Sequence, residues 1–215
     1  MRGAHGASTT KAAIAELLWG LPWLKVDISG DWSVLTDDCL KRYDVLIQYS
    51  GDRRHECTDE QLAALTRFVE GGGGYVPLHF TTANANERFL RFVGASFVNH
   101  PPFGPFTVKV SDPAHPVAHE LESFQLEDEC YRSNVFDPAA IHVVLTSHHP
   151  DPEAKIDGEP SAWTREIGQG RLFYSALGHD ARVWPNPHVR DLIVRAIRWA
   201  ARIEPVVPPA PEGAA

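Results

Sequence analysis

The chain has 215 residues, 43% of them hydrophobic and 22% charged, which is ordinary globular usage and excludes global disorder or collagen-like character. The formal charge is −8, from 20 Lys and Arg against 28 Asp and Glu, so the surface repels phosphate backbones and presents no basic cluster to an anionic membrane. No apolar run approaches the ~20 residues of a membrane span. The expectation is therefore no nucleic-acid partner, no membrane, and a single domain over residues 1–203, followed by a Pro- and Ala-rich disordered tail at 204–215.

Ser8 or Thr9 can cap a helix in which Ile14, Leu17 and Leu18 form an i, i+3, i+4 stripe. Residues 24–28 alternate apolar and polar and read as a strand. A short helix is expected near 36–42 and a buried strand at 43–49 (YDVLIQY). Thr58 and Gln61 form a capping-box pattern ahead of a helix that buries Leu62, Leu65, Phe68 and Val69 and stops at Gly71. The next strand, 75–78, runs into His79. A helix at 87–93 ends at Gly94, strands follow at 106–110, 124–126 and 141–146, and residues 161–166 and 171–177 flank Gly168 and Gly170 as a hairpin. The last helix begins near Pro187 and carries Leu192, Ile193, Ala196, Ile197 and Trp199.

Strands and helices alternate through the first two-thirds, which predicts a mostly parallel sheet covered on both faces. Ligands in such sheets bind beyond the carboxyl ends of the strands. Polar residues fall at those ends: Asp52, His79, Asp128 with Glu129, and His179 with Asp180. They are expected to converge on one pocket. Only four residues precede His5 and the first helix, too few for an apolar central strand. The expectation is that the native start lies upstream and that the first strand is missing, which would expose a gap and favour a homo-oligomer.

Cys39, Cys57 and Cys130 are odd in number and lack CxxC spacing, which argues against a disulfide framework or a cysteine zinc site and for a reducing compartment. MRGAHGASTT contains no apolar signal region, so the expected location is the cytoplasm. His115 and His119 are four apart but Pro116 lies between them and no HExxH occurs, so they read as non-metal residues; His148 and His149 read as surface loop.

GGGGYVPLHF, HPV at 115–117, DECY at 128–131, AWTREIGQGRLFYSALGHD at 162–180 and RAIRWAAR at 195–202 occur in that order. Together they resemble the ThuA-like (trehalose utilisation) family over about residues 40–202. The resemblance implies an α/β flavodoxin-like, three-layer fold related to class I glutamine amidotransferases. In those enzymes the turn after the glycine-rich strand carries a nucleophilic cysteine. Here it carries His79, so a cysteine-dependent glutaminase is not expected. The implied substrate is a small-molecule carbohydrate, a glycoside or its 3-keto derivative, and the implied activity is that of an isomerase or lyase, or of a hydrolase. The alternative is a non-catalytic sugar- or protein-binding module.

On this reading His79, Glu129 and His179 carry out proton transfer, and Asp180 orients a histidine. Asp52, Asp128, Tyr131, Trp163 and Arg165 contact substrate, with Trp163 at a pocket edge for stacking on a sugar ring. His100, in NHPP, matches a position of the family pattern and reads as a structural turn. No cofactor is assigned. A divalent ion such as zinc is the variant, held by His79, Glu129, His179 and His5, although no HxH or HExxH spacing supports it.

Overall fold

A computed structural model describes residues 5–49 and 57–207 of the protein, with side chains from residue 9 onward. Helix α1 (His5–Trp19) buries the expected stripe of Ile14, Leu17 and Leu18, and the Gly20 amide closes it on the Glu16 carbonyl. It starts before Ser8 rather than being capped there. Thr36 caps the short α2 (Asp37–Leu40), which leads to strand β1 (Val45–Tyr49). The capping box of Thr58 and Gln61 opens α3 (Asp59–Glu70), as the spacing predicts, and β2 (Gly74–Leu78) follows, wholly buried. Asn86 caps α4 (Glu87–Val93), and Gly94 ends it in the left-handed region at φ 116°.

Strands then follow without intervening α-helices: β3 (Ala95–Asn99), β4 (Gly104–Val110), β5 (Phe124–Asp128), β6 (Arg132–Val135), β7 (His142–His148), β8 (Asp157–Ile167) and β9 (Gly170–Ser175). Helix α5 (Pro187–Ala200) closes the fold, with Asn186 as its cap and Pro187 in its first turn.

The main sheet has seven strands in the order β1-β2-β9-β8-β7-β4-β5. Only β1, β2 and β9 are parallel; every other pairing is antiparallel. The expected mostly parallel sheet is thus corrected to a curled, mixed one. The reason is connection length. A parallel return needs a crossover of a dozen or more residues, and the β8–β9 link is a tight hairpin at Gly168 and Gln169. β3 and β6 form a separate two-stranded antiparallel sheet.

Alternate residues of the central strands feed two cores. Val76, Leu78, Ala162 and Phe173 pack with α1 and α5, while Tyr75, Trp163, Leu172 and Tyr174 pack with α3 and α4. The sheet is therefore covered on both faces, in three layers.

Two further expectations change. Residues 24–28 form no strand. Leu24 and Val26 are partly buried against the core, but among the described residues the segment pairs with no strand. The tail does not leave the core at residue 204, because Val206 is buried in it and Arg198 Nε donates to the Pro205 carbonyl. Residues 1–4, on which the missing-strand expectation rests, and the tail beyond residue 207 lie outside the described residues. Among the described residues no helix is long and apolar enough to cross a membrane.

Candidate active site

Direction along the sheet explains why distant residues meet. From β9 to β5 the chain direction reverses four times, so β5 points the same way as β1, β2 and β9. All four strands end at one edge, and the curl brings the end of β5 back to the turn after β9. Asp128 makes that junction. Its Oδ2 accepts the Gly178 amide at 2.6 Å and its Oδ1 accepts the His179 amide at 3.0 Å.

His79 is the first residue of a 3-10 turn (His79–Thr82) directly after β2, and its φ is +46°. A non-glycine residue in that region is strained and is held there by its surroundings. Its carbonyl accepts the Tyr174 hydroxyl at 2.8 Å. Its Nδ1 lies 2.7 Å from the Ala176 carbonyl oxygen. A carbonyl only accepts, so Nδ1 carries a proton, and the lone pair of the ring in its neutral form is at Nε2. Tyr131 donates its hydroxyl to that nitrogen at 2.7 Å.

Three groups converge there. His179 Nδ1 is 3.3 Å from His79 Nε2, and Glu129 Oε2 is 3.0 Å from His179 Nδ1 and 3.5 Å from His79 Nε2. The other Glu129 oxygen faces His100 Nε2 at 3.3 Å. Burial works to raise the Glu129 pKa, but the hydrogen bond from His179 and the two imidazoles beside the carboxyl outweigh it and hold it well below the usual range. Conversely, the hydrogen bond to Glu129 raises His179 against the opposing effect of burial. Glu129 is therefore anionic, and protonated His179 is stabilised beside it. Burial raises Asp128, whose partners include the amides of Gly178, Glu129 and His179.

His79, Glu129, His179, Asp128 and Tyr131 thus come together, with Asp128 holding backbone rather than facing the pocket. Asp180 does not orient a histidine. Its carboxylate is taken by Arg182, whose backbone amide and guanidinium both donate to it. Trp163 is corrected from a pocket-edge residue to a core one: it is wholly buried, packs with its ring tilted 31° and centred 4.2 Å from that of Tyr174, and donates Nε1 to the Val93 carbonyl. Arg165 caps the end of α4 instead, donating to the carbonyls of Arg91 and Phe92 and also to Ala140. Asp52 and the His5 side chain lie outside the described residues.

The sequence reading missed His100 as a site residue, and missed Tyr49, which donates its hydroxyl to the His179 carbonyl at 2.9 Å. Tyr49 ends the YDVLIQY strand, a position whose strand-end location was itself the available signal. Phe97 packs 4.5 Å from Tyr131 and Phe103 6.0 Å from His179, giving the site an aromatic rim. Cys57 and Cys130 are buried, and burial pushes both thiols up to about 12, so neither offers a thiolate at neutral pH.

A family model described as ThuA, trehalose utilisation, matches residues 2–200. The chain is similar to the solved structure of a thua-like protein from Bacteroides uniformis ATCC 8492, with TM-score 0.77 and 23% identity over 93% of this chain and 87% of that one. A thua-like protein from Parabacteroides merdae ATCC 43184 matches with TM-score 0.72 and 21% identity over 93% of this chain and 86% of that one. The protein described as cytoplasmic protein STM3548 from Salmonella typhimurium matches with TM-score 0.64 and 18% identity over 91% and 87%. At these identities the likeness is one of fold. No curated protein matches.

Proposed function

The chain belongs to the ThuA, trehalose utilisation, family, and on that premise we propose that it acts on glycosides or their 3-keto derivatives by proton transfer beside a carbonyl. The family supports a carbohydrate-related role. The observation that supports the chemistry is the meeting of a lone-pair nitrogen, a carboxylate and a second imidazole at one strand edge, within 3.5 Å of one another. The +46° turn at His79 supports an amidotransferase-like ancestry in which the elbow has kept its place and lost its cysteine.

A 3-keto group acidifies the hydrogen on C2. His79 Nε2 or the Glu129 carboxylate takes that proton, and the C–H electron pair moves to the ketone oxygen as an enolate. Protonated His179 faces the developing negative charge. A proton returned at C2 completes an isomerisation. Expulsion of the aglycone oxygen from C1, as the enolate pair re-forms a double bond, gives an elimination, and water then adds. One positioned base contributes about 10²–10⁴ in rate.

A non-catalytic sugar-binding module is the second reading, favoured by the burial of His79 and Tyr131, which are 1% and 3% exposed. Proton NMR of the protein with a 3-keto-glucoside in D2O separates the two. Enzyme-dependent loss of the C2 proton signal, or release of aglycone, is expected. An unchanged spectrum with folded protein that still binds the sugar establishes the binding module instead.

A further inference from the structure

We propose that His79 Nε2, Glu129 Oε2 and His179 Nδ1 form a three-ligand site for a divalent cation of the zinc class. It rests on the reading above and on the same three side chains, which become ligands in place of base and acid when the ion is bound. Among the described residues, they are the His, Cys, Asp and Glu group whose ligand atoms gather closely enough for one ion, all within 4.8 Å.

The first argument is distance. Zinc binds imidazole nitrogen and carboxylate oxygen at roughly 2.0–2.2 Å, and a tetrahedron of such bonds has edges of roughly 3.3–3.5 Å. The three edges here are 3.3, 3.0 and 3.5 Å. One ion placed over that triangle reaches all three atoms with little movement of the side chains.

The second argument is charge and tautomer. With Nδ1 of His79 donating to the Ala176 carbonyl, the lone pair of the neutral ring sits at Nε2 and faces both neighbours. A second imidazole nitrogen and a carboxylate oxygen crowd the same spot. Three electron-rich atoms so placed require something positive among them, either a proton on His179 or a cation. A ring N–H donated to a backbone carbonyl is also the arrangement that orients metal-binding histidines.

The third argument is support. Asp128 grips the amides of Gly178 and His179, which fixes the backbone that carries His179, and His100 Nε2 lies 3.3 Å from the Glu129 oxygen that the ion would leave free. The ligands come from turns after three different strands, and each turn is anchored by another.

When bound, such an ion supplies Lewis acidity toward a sugar oxygen. The His79 lone pair, which here accepts the Tyr131 hydroxyl, is then given to the ion, and Tyr131 stands at its rim. His100 and Tyr131 become the side chains free to move a proton. Tyr131→Phe is therefore expected to bind the ion at least as tightly as the wild type, because it removes a competitor for Nε2 and no ligand.

The test strips the full chain with a chelator and titrates it with zinc and with cobalt(II), reading stoichiometry and the visible spectrum of cobalt. One equivalent per chain with a tetrahedral cobalt spectrum is expected, together with retained binding in Tyr131→Phe and loss in His179→Ala and Glu129→Gln. The His179 side chain is partly exposed, so its alanine variant is expected to stay folded, and circular dichroism checks this. His100→Ala is expected to weaken binding about 10- to 100-fold. Binding no weaker in His179→Ala and Glu129→Gln than in wild type overturns the proposal, and so does its absence in wild type. Full turnover of a 3-keto-glucoside by ion-free protein also overturns it while leaving the proposed function standing. Stoichiometric binding with no turnover does the reverse.

Discussion

Asp128 Oδ1 accepts the backbone amide of His179 at 3.0 Å, joining the end of β5 to the turn after β9 across four intervening strand pairings. This bond, with its partner from Gly178, converts a curled sheet edge into a site. Asp128 is wholly buried and also accepts the Glu129 amide. Asp128→Ala is expected to leave three N–H groups without their acceptor, one buried and two part-buried, at about 1–3 kcal/mol each where water cannot enter. Denaturant unfolding should show a loss of several kcal/mol, and activity should fall with it. A variant as stable as wild type would mean that the junction is not held by Asp128.

Trp163 tests the boundary between core and pocket. Its complete burial, its contact with Tyr174 and its bond to Val93 predict that Trp163→Ala costs about 3–5 kcal/mol of stability. The milder Trp163→Phe should lower the melting temperature and leave KM for the sugar unchanged. A raised KM without loss of stability would return this side chain to the binding surface.

His115 provides a pH prediction away from the site. Burial, and next the charge of neighbouring His142, push its pKa down to about 4, while Asp112 and Glu166 pull the other way and Arg171 adds to the lowering. The unfolded value is near 6.5. The folded state therefore binds the proton less well than the unfolded state. The stability linked to this group is fully present above about pH 6.5 and is lost as pH falls toward about 4. The residue is half-buried, so solvent reduces the effect to about 1 kcal/mol, or about 2–4 °C in melting temperature. His115→Gln should lose less stability than wild type over that interval. Parallel melting curves would remove His115 as the cause.

The parts of the fold legible in the sequence are those written in local pattern. The Ile14, Leu17, Leu18 stripe, the Thr58 and Gln61 box, the Gly94 stop and the Pro187 start all reappear. Strand direction was not local information: the sheet turns antiparallel after β9 because the β8–β9 hairpin is tight and no α-helix intervenes between β4 and β9. β3 and β6 escaped notice because each finds its only partner about 40 residues away. Residues 24–28 show the converse, an alternating pattern with no strand beside it. At the site, His79, Glu129 and His179 were legible as polar residues at strand ends. His100 was not, because a histidine ahead of two prolines reads as a turn, and its approach to Glu129 depends on how the β3–β4 connection folds over Tyr131. Trp163 misled because an aromatic beside an arginine looks the same in sequence whether it stacks on a sugar or packs on Tyr174.

The most direct measurement of the central claim is the steady-state kinetics of Glu129→Gln with a 3-keto-glycoside, alongside wild type. The substitution keeps the shape of the side chain and removes the charge that faces His79, His100 and His179. The expected result is a fall of about 10²–10⁴ in kcat with KM within a few-fold and the fold intact. Unchanged kcat would take Glu129 out of the chemistry and contradict the account.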